Sequence, residues 1–351
     1  MSFLTSLRGI AAIWVVFYHI REHLDAGYIT QFFSNIYSVG YLAVDFFFVL
    51  SGFVIALNYY KCFINPTLSQ YKIFVYKRLS RIFPLHFFML ICYCSIPLAH
   101  VLTNRDFDPH LYSATGFILK FLLLDTWFIG AQYWQTWNVP SWTISAEFFS
   151  YLMFPFLIYF VWRLPNRLKV TLFFSSILAF SILLFSIESV SIGDKIESVA
   201  LLRCLVSFFC GICVFFLYSH KKLSMQLTLF ISLFIIAVVG GAYYFGIPNY
   251  VYMPLGFSWC LYWLVSYKTK LHTILESKYL VYLGEISYSI YLSHTFIRDF
   301  FAMIFLGNGQ AANGYEITFY IVITIIFSAI TYELVEKKAR YYLNHIITKS
   351  K

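Results

Sequence analysis

Apolar stretches of about twenty residues recur along the whole chain, and that recurrence most constrains how it can fold. Roughly 20 helical residues cross a bilayer core. Within hydrocarbon the backbone must satisfy its own N–H and C=O groups, which an α-helix does internally. Ten stretches approach that length: 7–22, 39–59, 82–102, 142–162, 170–187, 199–218, 227–246, 249–267, 284–306 and 316–335. The expectation is an all-α integral membrane protein of about ten transmembrane helices. A single transmembrane domain is expected over 1–340, with a basic cytoplasmic tail over 341–351. Only 12% of residues are charged against 60% apolar, about half the charge of a soluble domain. Residues 117–131 are apolar too, but short and interrupted by Lys120 and Asp125. That piece reads as re-entrant or interfacial.

Charge orients the spans. With both termini cytoplasmic, the inside segments carry Lys61, Lys72, Lys77, Arg78 and Arg81, then Arg163, Arg167 and Lys169, then Lys221 and Lys222, then Lys268, Lys270 and Lys278. The tail adds Lys337, Lys338, Arg340, Lys349 and Lys351, so 18 of the 25 Lys and Arg residues lie inside, as the positive-inside rule requires. The net charge of +9 is then topological and does not point to nucleic acid. The first span is expected to be retained, since Met1 to Leu7 has no basic region of a signal peptide. No dinucleotide fingerprint, Walker sequence or His-Glu-x-x-His occurs. The seven cysteines are an odd number lying mostly within spans. Cys210-x-x-Cys213 lacks a second pair or a nearby His, so core packing is expected rather than a disulfide framework or a metal site.

The remaining chemistry lies in ionisable residues that the membrane must tolerate, and such residues are expensive and usually functional. Arg8 and His19 share the first span, about three turns and 16 Å apart on nearly the same face. Asp45 stands alone in a strongly apolar second span, where an isolated carboxylate needs a partner. Arg78 and Arg81 are three apart at a helix entry and can converge on phosphates; anchoring of topology is the plainer alternative. Glu147 enters the fourth span after Pro140, with Tyr151 one turn on, and its plainer role is pairing with an Arg. His294 lies in the ninth span with Arg298 one turn further on the same face. A lone His there often only bridges helices.

Taken in order, Arg8-x10-His19, the Asp45-containing Phe-Phe-Val-Leu-Ser-Gly-Phe stretch, Arg78-x-x-Arg81, Ser141-Trp142-Thr143-Ile144 to Glu147 and Tyr151, and Gly284 to His294 resemble membrane acyltransferase family 3. That family includes O-acetyltransferases of bacterial surface polysaccharides. The segment from Glu333 to Arg340 is similar to the family's C-terminal end. With 351 residues the chain resembles stand-alone members, without the SGNH esterase-like domain fused to others.

The resemblance implies transfer of an acyl group, usually acetyl, from cytoplasmic acyl-CoA to a hydroxyl of a cell-surface glycan such as O-antigen, capsule or exopolysaccharide, in the bacterial inner membrane. It implies no metal. A thioester is already activated, so the enzyme needs a base, donors for the oxyanion and positive charge for the coenzyme's phosphates. His19 is the expected base, with Glu147 or Asp45 orienting its ring. Arg8, Arg78 and Arg81 are expected to hold acetyl-CoA. His294, Arg298, Tyr288 and Trp142 are expected to contact the acceptor or the oxyanion. Direct transfer is preferred to an acyl-enzyme on Ser51 or Ser287. The aromatics Trp127, Tyr133, Trp134 and Trp137 suit either sugar stacking or an interfacial belt. Two other classes compete. A proton-coupled transporter would show repeat symmetry with paired broken helices, and a non-catalytic subunit of glycan assembly would turn over no thioester.

Overall fold

The computed structural model describes residues 1–21, 31–165, 196–220, 223–305 and 312–349. Its α-helices run in order α1 (Ser2–Ile20), α2 (Gln31–Ser38), α3 (Ala43–Tyr59), α4 (Leu68–Tyr93), α5 (Ser95–Leu102), α6 (Ala114–Phe121), α7 (Trp142–Arg163), α8 (Ile196–Ser219), α9 (Met225–Tyr244), α10 (Asn249–Ser266), α11 (Lys270–Leu275), α12 (Lys278–Glu285), α13 (Ser287–Phe305), α14 (Gly314–Thr331) and α15 (Lys337–Lys349). Among the described residues seven helical segments are long and apolar enough to cross a membrane: Ser2–Ile20, Gly40–Phe63, Leu68–Leu102, Val139–Arg163, Val199–Ser219, Met225–Tyr244 and Gly314–Ile346. Each coincides with a predicted span. The predicted span 170–187 lies outside the described residues. The spans predicted at 249–267 and 284–306 coincide with helices α10 and α13, which are long but too polar to meet that standard; α13 carries Ser287, Ser289, Ser293, His294, Arg298 and Asp299.

Two compact units emerge. The first comprises Met1–Ala43, Ile73–Phe148 and Ile274–Lys351; the second comprises Val44–Lys72 and Phe149–Thr273. In the first unit α1 packs against α12 and α13, and α13 against α14. The predicted span 284–306 is broken at its start, because Ile286 ends α12 and the Ser287 hydroxyl donates to Gly284 O at 2.7 Å, closing a corner between two helices. Gly284 sits where α12 meets α1. A side chain there would collide with Thr5 O, and a Cβ on Gly9 would come within 2.7 Å of Gly284 N. Small residues are what let helix backbones approach so closely. Replacing Gly284 by Leu is therefore expected to lower stability by about 1–3 kcal/mol, the range for overpacking, as a fall in thermal unfolding temperature in detergent. An unchanged melt would remove Gly284 from this role.

In the second unit the same device joins α3 to α8. A Cβ on Gly52 would meet Phe208 O, and one on Gly211 would meet Val49 O. Helices α8 and α9 both pack on α10. Cys210 and Cys213 are buried thiols in α8.

Residues 114–141 do not form one helix. After α6 the chain turns through 3-10 segments at Phe128–Tyr133 and Val139–Ser141. Lys120 and Asp125, the two interruptions in the sequence, pair with each other: Lys120 Nζ lies 2.7 Å from Asp125 Oδ2, and both side chains are fully buried. Lys120 Nζ also donates to Trp134 O at 3.1 Å, and His86 Nε2 meets Lys120 O at 2.8 Å. Burial pulls the Lys120 ammonium below its usual range, and the Asp125 carboxylate opposes that shift.

Candidate active site

Two polar groupings lie within the first unit, at opposite ends of α1. The first gathers around the last turn of α1, where His19 stands half-buried. Its ring lies 5.0 Å from that of His294, centroid to centroid, at an interplanar angle of 44°. The ionisable neighbours acting on His19 are His294, Arg298 and Arg21, all basic. His294 is fully buried on α13, and its Nδ1 lies 2.8 Å from Tyr291 O and 3.3 Å from Ile290 O. Carbonyl oxygens only accept, so in the neutral ring Nδ1 carries the proton and Nε2 presents a lone pair. Further anchors hold this turn of α13: Tyr320 OH donates to His294 O at 3.1 Å, Asn138 Nδ2 to Leu292 O at 3.1 Å, and Tyr93 OH is 2.6 Å from Thr295 Oγ1.

One turn beyond His294, Arg298 grips Asp299 through Nε at 3.0 Å and through a terminal nitrogen at 2.7 Å. Their side chains are 22% and 31% exposed, so a ligand can reach them. Burial and, next, the Asp299 charge push the Tyr112 phenol up to about 12, which keeps it a neutral hydrogen-bond donor.

The second grouping centres on Glu336, only 4% exposed. Glu336 ends a π-helical turn, Tyr332–Glu336, set between α14 and α15. Such turns rotate one side chain out of helical register and often mark functional sites. Its carboxylate accepts from Ser289 Oγ at 3.2 Å and lies in the field of Arg81, Arg8 and Arg340. The charges of arginines on α1, α4 and α15 thus all act on one carboxylate.

The other predicted residues have separate places. Asp45 is fully buried in the second unit, where Arg203 of α8 grips it: Nε to Oδ1 at 2.8 Å and the terminal nitrogen to Oδ2 at 2.5 Å. Glu147 is half-buried near the start of α7 and makes no hydrogen bond to His19 among the described residues. Tyr288 OH donates to Ile82 O at 2.6 Å, tying α13 to α4, and Trp142 is buried at the head of α7. Ser51 Oγ is 3.4 Å from Tyr151 OH. Among the described residues no three His, Cys, Asp or Glu side chains form a metal-binding group.

Residues 1–333 match the acyltransferase domain family. The chain belongs to that family. An acyltransferase of Streptomyces mycarofaciens, MdmB, is 30% identical over 47% of the chain and 41% of its own length. A protein of Staphylococcus aureus strain MSSA476 named "Putative O-acetyltransferase SAS0844" is 23% identical over 97% of the chain and 57% of its own length. A Rhizobium radiobacter protein named for its place as the second in the picA locus is 28% identical over 41% of the chain and 75% of its own length. The chain thus spans 41% and 57% of the first two relatives. No solved structure matches.

Within the family domain, several functional candidates escaped the sequence. Arg203 carried a usable signal, a cation inside an apolar span that also implied a partner for Asp45. Asp299 is adjacent to Arg298 and was readable as its counter-ion. Glu336 lay within the Glu333–Arg340 segment likened to the family's C-terminal end, but its burial at the end of a π turn was not readable from the sequence. The aromatics of the segment between α6 and α7 are largely committed to packing. Trp137 Nε1 donates to Ser113 O at 2.9 Å and its ring packs on Tyr112 and Phe117; Trp127 Nε1 donates to Ser145 O at 3.1 Å and its ring stacks on Phe148.

Proposed function

We propose that the chain is a membrane O-acyltransferase that carries acetyl from cytoplasmic acetyl-CoA to a hydroxyl of a cell-surface glycan, in an inner-membrane protein of ten spans with both termini cytoplasmic. The observation that carries this reading is the disposition of two groupings in a chain of this family: paired imidazoles at one end of α1 and arginines acting on one carboxylate at the other. Arg8, Arg78 and Arg81 hold the coenzyme's phosphates. His19 takes the acceptor proton as the hydroxyl oxygen attacks the thioester carbonyl. The C–S bond then breaks, and the leaving thiolate receives that proton to give coenzyme A. Arg298 faces the oxyanion or the acceptor. The Staphylococcus relative's name supports acetyl as the group transferred.

The test compares O-acetyl signals by NMR in surface glycans from cells lacking the gene and from cells complemented with it. Acetyl that returns with the gene supports the reading; glycans that never change refute it. The donor half has its own check. Arg81→Ala is expected to raise KM for acetyl-CoA at least about tenfold, the loss of one charge-assisted hydrogen bond. KM should hardly move with the thioester of N-acetylcysteamine, which has no phosphates. Equal loss with both donors would make Arg81 a packing residue.

A further inference from the structure

Around His294 the protein supplies buried hydrogen-bond acceptors without donors to match. His294 Nε2 is buried and has no partner among the described residues, and the same is true of Asn138 Oδ1. Both residues are 0% exposed. Neither group can become a donor where it stands. His294 Nδ1–H is held by Tyr291 O at 2.8 Å, and moving the proton to Nε2 would set the Nδ1 lone pair against that carbonyl. Asn138 Nδ2 is held by Leu292 O at 3.1 Å, and flipping the amide would oppose two oxygens. Helix α13 thus anchors both acceptors within one turn. Buried acceptors are ordinarily satisfied, so two left open in one neighbourhood point to a ligand rich in O–H or N–H groups.

The imidazole pair narrows that ligand. A single alcohol has one hydroxyl proton, and in the mechanism above that proton goes to His19, leaving His294 Nε2 open. The rings are only 5.0 Å apart. Hydroxyls on adjacent carbons can each meet one of two nitrogens held so close, with hydrogen bonds of about 2.8 Å. At His294 Nε2 and Asn138 Oδ1 themselves a phosphate or carboxylate would set lone pairs against lone pairs.

Building on the reading of His19 as base, we propose that the acceptor is a vicinal diol and that His294 Nε2 accepts the O–H of the hydroxyl next to the one acylated. Asn138 Oδ1 takes a further donor of the same sugar. During transfer the neighbouring hydroxyl keeps its proton and stays on His294, while the acylated hydroxyl passes its proton to His19 and then to the departing coenzyme A thiolate. His294 is thereby a specificity-determining residue that touches the acceptor.

The experiment uses the complemented cells, with wild type, His19→Ala, His294→Gln and His294→Asn at matched membrane abundance, and reads both the amount and the ring position of O-acetyl by NMR. Gln places a carbonyl oxygen near the position of Nε2, whereas Asn reaches only to that of Nδ1. The expected result is acetyl on a hydroxyl whose ring neighbour is also free, with His294→Gln keeping at least severalfold more transfer than His294→Asn. Acetyl flanked only by substituted positions would overturn the proposal. So would equal transfer by the two His294 variants, whether full or absent, or more transfer by His294→Asn, which would give His294 an anchoring role through Nδ1. Loss of the underlying reading looks different: no acetyl returns even with wild type, or His19→Ala retains full transfer.

Discussion

His19→Ala is expected to abolish acyl transfer while the protein still inserts and folds. A positioned general base contributes roughly 10²–10⁴-fold, so transfer should fall below detection in a surface-glycan assay. The structural cost should be small by comparison. His19 lies in the last turn of α1, half-buried, and the buried face of that helix is made by Phe3, Leu4, Ala11, Ala12, Val15, Val16 and Ile20 instead. Membrane abundance and thermal unfolding temperature near wild type, with transfer gone, are the outcome expected. Full transfer at equal abundance would remove His19 from the chemistry, and a collapsed protein level would assign it to the fold.

The second large effect concerns the Asp45–Arg203 pair. Asp45→Asn alone is expected to cost about 3–5 kcal/mol, because it discharges the fully buried carboxylate that takes two hydrogen bonds from the Arg203 guanidinium. Arg203→Met alone should cost as much, for the carboxylate left behind is fully buried. Both oxygens of Asp45 are engaged by one side chain, at 2.8 and 2.5 Å, so the carboxylate depends on Arg203 at both atoms. The double variant Asp45→Leu with Arg203→Met removes both charges and should recover most of the loss. Denaturant unfolding in detergent, run as a double-mutant cycle, measures the coupling. Additive losses would show that the two charges do not depend on each other. Asp45 therefore has a sufficient structural reason to exist in the second unit, apart from any part in proton transfer.

Lys120 and Asp125 show how the same physics reads differently from sequence and from structure. Along the chain they look like defects in an apolar stretch. In the fold they neutralise each other over a turn, with both side chains fully buried. Sequence separation of five residues spans more than one helical turn, and α6 ends at Phe121, between them. Where the helix stops could not be read from apolarity alone.

What the sequence by itself determined was the class of protein and the membrane segments. Hydrocarbon tolerates little besides apolar helices, so composition and length write those segments directly into the chain. The pairing of Arg8 with His19 on one face was legible for the same reason, since a continuous α-helix fixes their spacing. The match over residues 1–333 agrees with motifs read in order. Tertiary structure alone decided which ionisable groups meet. Arg203 found Asp45 across 158 positions of sequence, His294 came to lie beside His19, and Glu336, buried at the end of a π turn, came into the field of Arg8, Arg81 and Arg340. Local periodicity carries no record of such contacts. They depend on which helix faces approach, and that is set by small residues such as Gly9, Gly52, Gly211 and Gly284, whose missing side chains bring distant backbones together.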